Sequence, residues 1–322
     1  MRKLGDENIT PQKEKRSDRD KIFRQIQFIA DEPGKNVMNA LNSSGLGPNQ
    51  SDNEYGPHTL LKLCYLNYYI GYFSTIANKW KQGGMFDRVI FLDAFGGSGL
   101  VKISGTNYSV LGSTVLAARN TKFDKVVAVE IDAAKARLLE GRLKVLSPGR
   151  AIVKRGDVNV LIREIVDEMI TDKTIVLFFV DPEGMEPAFA ELKYLMDKTR
   201  HVDIIMNFTW GVYRLNGRIM ARFNDNDIRR MKSLIPTYEP GKDPTDAILK
   251  MFEDLFGKPY GDQVEIRSDK TEYSLILRVR RTRSDSSWVK SMSEFGKIIN
   301  SADGRFALTL LQQAKSVQDS LF

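Results

Sequence analysis

The chain is poor in the residues that build metal sites and disulfides. Its 322 residues include one cysteine, Cys64, and two histidines, His58 and His201. A single cysteine excludes an internal disulfide, and it excludes a zinc or iron–sulfur site that is built from several thiolates. With so few thiolates and imidazoles, the sequence predicts that no transition metal is bound.

Long apolar runs are missing as well. No stretch approaches the roughly 18 apolar residues that a membrane-spanning helix needs, and the charged N-terminus lacks the apolar segment of a secretory signal. The sequence therefore predicts a cytoplasmic protein with no membrane partner. Basic residues outnumber acidic ones by 48 to 41, which gives a formal charge of +7. This excess favours an anionic partner such as nucleic acid, and it fits a merely solvated basic surface equally well.

The most informative stretch is an apolar run that ends in a glycine-rich loop. Residues 89–92 (VIFL) are too few for a helix and are typical of a strand buried on both faces. Asp93 ends this strand, and the loop at residues 95–99 (FGGSG) follows. In doubly wound α/β proteins, a strand, a glycine-rich loop and a helix in succession hold an adenosine-containing cofactor.

The loop does not fit a dinucleotide. Lys102 stands where G-x-G-x-x-G requires its third glycine, and Asp93 would repel a diphosphate. An acid at this point suits a cofactor that is positively charged and carries no phosphate, and S-adenosylmethionine is such a cofactor. The alternative is a structural glycine turn in another kind of α/β protein.

Five apolar segments alternate with helical segments after residue 88. This alternation predicts a parallel sheet with right-handed crossovers and helices on both faces. Two further strand patterns, at 263–267 and 272–281, predict an antiparallel hairpin, and two amphipathic helices close the chain. The sequence thus predicts an α/β fold whose sheet is mostly parallel with an antiparallel C-terminal hairpin. The parallel strands are predicted at residues 89–92, 125–130, 151–155, 174–180 and 202–208.

Composition also predicts four regions and several local features. The N-terminal region could dock on the core, cover a cofactor or remain mobile. Residues 58–80 are predicted to form a helix that buries Cys64, residues 100–111 a loop, and Ser113 the N-cap of the next helix. The predicted regions are a charged arm and linker (1–54), a cofactor-binding core (55–210), an Arg-rich helical insertion (211–260), and a hairpin with C-terminal helices (261–322).

Acidic residues end four of the predicted strands, and parallel strands place such ends along one ligand-binding edge. Asp93 could accept a hydrogen bond from the cofactor's ammonium group or hold the loop through backbone N–H groups. Glu130 could accept from both ribose hydroxyls. Asp157 could accept from the adenine amine while the backbone N–H of Val158 donates to a ring nitrogen. Asp181 would lie nearest the transferred group. The alternative is that each acid only caps a helix or stabilises a turn.

Taken in order, these motifs resemble those of the three-Cys-motif partner proteins, a bacterial and archaeal family within the class I S-adenosylmethionine-dependent methyltransferase-like superfamily. The resemblance implies the class I methyltransferase-like (Rossmann-like) fold and S-adenosylmethionine as cofactor. It also implies a radical-SAM-like three-Cys-motif protein as partner. The matching residues are 58–63, 68–69, 93–99, 112–114, 130–132, 156–159, 178–184 and 207–208. The cofactor-binding residues that follow are Asp93, Phe95, Gly97, Gly99, Glu130, Asp157 and Val158.

The resemblance also suggests where chemistry would occur. Methyltransferases that act on nucleobase amines use an Asp-Pro-Pro-aromatic element, whose acceptors bind the amine while the ring stacks on the base. Asp181 and Pro182 retain those acceptors, and Glu183 could act as a general base. Glu183 replaces the family's aromatic residue, however, and Gly184 cannot stack on a base.

These residues leave two functions open. The first is an S-adenosylmethionine-dependent methyltransferase that acts on a nucleic acid or another amine acceptor, with Arg214, Arg218 and Arg280 as candidate nucleic-acid contacts. A solvated surface explains these arginines equally well. The second is a non-catalytic accessory partner of the three-Cys-motif protein. An NAD-dependent enzyme is disfavoured by the glycine spacing and by Asp93.

Overall fold

The computed structural model describes residues 10–182, 184, 186–208, 214–215, 218–219, 224–258, 260–267, 272–279 and 287–319. Within these ranges the chain alternates between helices and strands. The helices are α1 (Thr10–Ile29), α2 (Asn36–Ser43), α3 (Thr59–Gln82), α4 (Ser113–Arg119), α5 (Ala133–Leu146), α6 (Val158–Met169), α7 (Phe189–Lys198), α8 (Asp225–Leu234), α9 (Pro244–Asp254), α10 (Ser287–Asn300) and α11 (Gly304–Asp319).

The strands form one large sheet and two small ones. The large sheet has seven strands among the described residues, and the small sheets have three and two. The strands are β1 (Asn53–Tyr55), β2 (Arg88–Asp93), β3 (Leu100–Ile103), β4 (Ser109–Leu111), β5 (Lys125–Glu130), β6 (Ala151–Arg155), β7 (Thr174–Val180), β8 (Val202–Phe208), β9 (Arg214–Leu215), β10 (Arg218–Ile219), β11 (Tyr260–Arg267) and β12 (Glu272–Val279).

The large sheet has the order β11-β12-β8-β7-β2-β5-β6. The strands from β8 to β6 are parallel, whereas β12 pairs antiparallel with both β8 and β11. The chain moves from β2 outward through β5 to β6 and then returns to β7 on the other side of β2, which makes β2 the topological switch point. This is the class I methyltransferase topology, and it confirms the predicted fold class.

The sheet is buried on both faces because successive side chains of each strand point in opposite directions. In β7, Ile175, Leu177 and Phe179 pack in the cluster formed with α3, α10 and α11. Their neighbours Val176, Phe178 and Val180 pack in the second cluster, with α6, α7 and α9. This double burial explains the continuous apolar runs by which the strands are recognised in the sequence.

The N-terminal segment docks on the core. Three isoleucines of α1, Ile22, Ile26 and Ile29, are buried against the same cluster as α3 and α11. Farther along, residues 53–55 form β1, which pairs in parallel with β3. The described part of the N-terminal region, from residue 10 onward, therefore docks on the core, while the four domain boundaries stay a prediction.

Two predictions of local secondary structure were wrong. Residues 100–111 are not a loop but the hairpin of β3 and β4, which turns at Gly105 with a φ of +74°. Pairing with β1, a distant part of the chain, completes this small sheet. Residues 214–219 include the short antiparallel ribbon of β9 and β10 instead of helix. Helix does form farther on, in α8 and α9.

No helix among the described residues combines the length and apolar character needed to cross a membrane. The cytoplasmic location stays a prediction.

A fully buried ion pair fastens the N-terminal segment to the glycine-rich loop. Arg142 of α5 lies 2.5 Å from the carboxylate of Asp52, and neither side chain has solvent exposure. The guanidinium also donates to the carbonyl oxygen of Ser98, whose hydroxyl donates to Asp52 at 2.6 Å. A buried charge is stable only when it is paired and hydrogen-bonded, so this network specifies one position for the loop.

Replacing Arg142 with leucine should therefore destabilise the protein by about 3–5 kcal/mol, because Asp52 would be left as an uncompensated buried charge. Urea denaturation measures the loss. Lys144→Leu is the control, since Lys144 pairs with Glu140 on the exposed face of the same helix, and its loss should stay below about 1 kcal/mol. Equal losses for the two variants would contradict this account.

Candidate functional site

A cavity of about 370 Å³ opens at the carboxyl ends of the parallel strands. Its floor is the glycine-rich loop, and its sides come from the strand ends and from the N-terminal segment. The ends of β7, β2, β5 and β6 follow one another along the sheet, so at roughly 4.8 Å per strand they span about 14 Å. This is the crevice in which open α/β sheets bind ligands.

Two glycines allow the loop to turn beneath the cavity. Gly97 has a φ of +58° and Gly99 a φ of +91°, conformations that side-chain-bearing residues rarely adopt. A Cβ on Gly99 would also lie 2.8 Å from Leu139 of α5. The backbone N–H of Gly97 donates to Glu130 at 2.8 Å, which ties the loop to the neighbouring strand.

Glu130, at the end of β5, presents its carboxylate to the cavity. One oxygen accepts from Gly97 and the other from the backbone N–H of Asp132. Each oxygen of a carboxylate has two lone pairs, so both can still accept a hydrogen bond from a ligand. Next to it, Ile131 lines the cavity although 70 % of it is exposed. A large aliphatic side chain in this position provides an apolar surface for a flat ring.

Asp157 and Val158 lie at the next strand end. Asp157 is the N-cap of α6, and one of its carboxylate oxygens accepts from the backbone N–H of Asn159. Val158 begins the helix, so its backbone N–H has no partner within the helix. Both residues line the cavity, where they offer an acceptor beside a donor.

Asp93 is placed differently from the other acids. It is fully buried and does not line the cavity. Its carboxylate accepts from the backbone N–H of Phe95, from Ser113 Oγ at 2.6 Å and from Thr114 Oγ1 at 2.7 Å. Of the two roles predicted for Asp93, this geometry supports holding the loop. The prediction that Ser113 caps α4 was wrong, because Gly112 is the N-cap and the hydroxyl of Ser113 donates to Asp93.

Asp181 closes the other end of the cavity, at the end of β7. Its two carboxylate oxygens accept from Lys62 Nζ and from Asn207 Nδ2, both at 2.6 Å. Lys62 comes from α3 and Asn207 from β8, so three elements meet at this carboxylate. The ion pair between Lys62 and Asp181 also explains why a lysine occupies a buried position of α3.

Most of the predicted site residues share this cavity, and several do not. Pro182 is buried beside it. Glu183 and Arg280 lie outside the described residues, and for Arg214 and Arg218 the structure describes only the backbone, in β9 and β10. Those that line the cavity are Phe95, Gly97, Gly99, Glu130, Asp157, Val158 and Asp181.

The cavity is also lined by residues that the sequence did not single out as site residues, among them Asn53, Tyr55, Lys62 and Ile131. Asn53 falls in a polar stretch that resembles a linker and Tyr55 follows that stretch, and only the pairing of β1 with β3 brings the two residues to the cavity. Lys62 could have been noticed in the sequence, because it is a charged residue within an otherwise apolar stretch of α3. In the described part of the chain, no group of three or more His, Cys, Asp and Glu side chains could hold a metal ion.

Comparisons with family profiles and with curated proteins find no match. Solved structures do show similarity. A DUF519 protein from Legionella pneumophila is 12 % identical (TM-score 0.42; 72 % of this chain, 92 % of that one). An O-methyltransferase from Bacillus cereus in complex with SAH is 17 % identical, with a TM-score of 0.41 over 79 % of this chain and 96 % of that one. Trm1 from Pyrococcus horikoshii with S-adenosyl-L-methionine is 13 % identical, with a TM-score of 0.42 over 76 % of this chain and 58 % of that one. These similarities are low, and the strand order of the large sheet is what identifies the fold.

The environment of Asp93 predicts a pH dependence. Burial raises the pKa of Asp93 from 3.8 to about 6, although hydrogen bonds from Ser113, Thr114 and Phe95 oppose the shift. Between these values the folded protein holds a proton that the unfolded chain has lost, so the free energy of unfolding falls as pH rises from about 4 to 6. Asp93→Asn should remove this component, which is on the order of 3 kcal/mol. Urea denaturation at several pH values measures it.

Asp132→Asn is the control with the opposite sign. Backbone N–H groups of Lys135 and Ala134 lower the pKa of Asp132, so its contribution to stability is present above the unfolded pKa and is lost as pH falls. A wild-type minus Asp93→Asn difference that does not change with pH would contradict the burial of a titrating carboxyl at this position.

Proposed function

We propose that the protein is an S-adenosylmethionine-dependent methyltransferase. The observation that carries this proposal is a single cavity that joins Glu130 and Asp157 at one end to Asp181 at the other, across a glycine-rich loop. The first end suits a nucleoside, and the second suits an amine or another hydrogen-bond donor. The resemblance to the three-Cys-motif partner proteins supports the same proposal, and membership of that family is part of it.

The lining fits this cofactor by charge and by shape. Among the lining residues that the structure describes, two lysines face five carboxylates, those of Glu130, Asp132, Asp157, Asp181 and Glu186. Such an excess of negative charge favours a cationic ligand and disfavours a diphosphate. Gly97 and Gly99 line the cavity without projecting a side chain into it, so a ligand can approach the backbone of the loop closely.

Each end of the cavity would have its own task. Glu130 would accept from the ribose hydroxyls, and Asp157 with the N–H of Val158 would bind the adenine edge. The bound cofactor supplies a methyl group on a sulfonium, which leaves as a neutral thioether. The protein contributes chiefly by positioning: Asp181 would accept a hydrogen bond from the acceptor amine and hold its lone pair towards the methyl carbon. Glu183 as general base stays a prediction.

We propose a nucleic acid, or another amine, as the methyl acceptor. The excess of basic residues supports an anionic acceptor, and Arg214, Arg218 and Arg280 stay candidate contacts. A second function, an accessory partner of a three-Cys-motif protein, is favoured by one observation: the charge of Asp181 is already balanced by Lys62, whose Nζ lies 2.6 Å away.

Measurements of cofactor binding and of methyl transfer distinguish these two functions. Calorimetry should show that S-adenosylhomocysteine binds and that NAD does not. With labelled S-adenosylmethionine, the wild-type protein should transfer methyl groups to nucleic acid or to a partner protein. Asp181→Ala should reduce transfer at least about 100-fold, because the acceptor loses its orienting group. Asp197→Ala is the control, since Asp197 lies in an exposed ion pair with Lys193 and does not line the cavity.

Cofactor binding without transfer to any nucleic acid or partner tested would favour the accessory function. Failure to bind S-adenosylhomocysteine would overturn the methyltransferase proposal.

A further inference from the structure

A charge pair at the acceptor end of the cavity has no task in the function proposed above. Lys62 Nζ lies 2.6 Å from Asp181 Oδ2, and the Lys62 side chain is only 10 % exposed. The ring centroid of Tyr55 lies 5.6 Å from the same nitrogen. Withdrawing an ammonium group from water is costly even when it is paired, and a methyl donor that is itself cationic gains nothing from a second positive charge. The burial of Lys62 at this end of the cavity therefore needs an explanation.

The position of Lys62 in the cavity suggests that reason. Among the lining residues that the structure describes, two are basic, Lys62 and Lys135. Lys135 lies in the first turn of α5, directly after the end of the strand that carries Glu130. It thus belongs to the nucleoside end. Lys62 lies at the opposite end, beyond the loop, where the part of a ligand that extends past the ribose must lie.

The extension past the ribose in S-adenosylmethionine is an amino-acid tail, which ends in a carboxylate. A carboxylate in a cavity lined by five acids needs a cation close by. An ammonium group has three N–H donors, so Lys62 can donate to Asp181 and to a ligand oxygen at the same time. Asp93 cannot contact the tail, because its side chain is buried behind the loop and does not line the cavity.

We propose that Lys62 binds the carboxylate of the cofactor's amino-acid tail and so links that tail to Asp181. This inference rests on the proposed function, since it needs a ligand of that class. It assigns Lys62 a positioning role: by fixing the tail beside the carboxylate that receives the acceptor, Lys62 would set where the methyl carbon lies relative to Asp181.

A binding cycle tests the proposal without any methyl acceptor. Calorimetry compares S-adenosylhomocysteine with its decarboxylated analogue, which keeps the ammonium group, on the wild-type protein and on Lys62→Met. The wild type should bind S-adenosylhomocysteine on the order of 10- to 100-fold more tightly than the analogue, the loss expected when a charged hydrogen bond is removed. Lys62→Met should bind the two ligands with affinities equal within about threefold.

Two further variants control the cycle. Lys62→Arg keeps the charge and should keep the preference for the carboxylate. Lys135→Met removes the other cavity cation and should also keep it, because that lysine lies at the nucleoside end. Thermal unfolding shows whether each variant folds. If Lys62→Met does not fold, the ratio of the two wild-type affinities still tests the need for a carboxylate partner.

The outcomes separate the two proposals. A wild type that binds neither ligand overturns the cofactor proposal and this inference with it. A wild type that binds both ligands equally overturns the inference and leaves the methyltransferase proposal standing. The same holds if Lys62→Met weakens both ligands to the same extent, since Lys62 would then only shape the cavity.

Discussion

The site depends on the burial of one carboxylate. Asp93 ends the strand at the topological switch point, and its oxygens accept from the loop that follows and from the first two residues of α4. These hydrogen bonds offset part of the cost of burying the acid. In return they fix the direction in which the chain leaves the sheet. Without that constraint, the loop between β2 and β3 would lose the contact that fixes its start.

The loop is also held from two other sides. Glu130 binds it from the neighbouring strand through Gly97. The Arg142–Asp52 pair binds it from behind through Ser98. Because Asp52 directly precedes β1, the same network brings Asn53 and Tyr55 to the cavity wall. A charged and polar N-terminal segment thereby becomes part of the candidate site, through contacts that are remote in sequence.

The sequence predicts the large sheet well because its information is local. Four of the five parallel strands, β5 to β8, begin and end at the predicted residues, because each is centred on a run of apolar residues that is typical of a buried strand. The acids at their ends could be placed on one edge because parallel strands align their carboxyl ends. Three of these acids, Glu130, Asp157 and Asp181, do line one cavity.

The features that the sequence could not predict depend on contacts between residues that are far apart in the chain. The hairpin at residues 100–111 is completed by β1, about 50 residues earlier, and no local pattern reveals that pairing. Whether Asp93 faces a ligand or the loop depends on where the hydroxyls of Ser113 and Thr114 lie, about 20 residues later. Lys62 stands out in sequence only as a charge within an apolar helix, and its partner is more than 100 residues away.

If the proposed function is right, one cavity binds an adenosine-containing cofactor between Glu130 and Asp157 on one side and Asp181 on the other. A crystal structure of the protein with S-adenosylhomocysteine tests this most directly. The account predicts both ribose hydroxyls within hydrogen-bonding distance of Glu130, the adenine edge against Asp157 and Val158, and the sulfur on the Asp181 side of the loop. A ligand bound elsewhere, or one that places its ribose away from Glu130, would contradict the account.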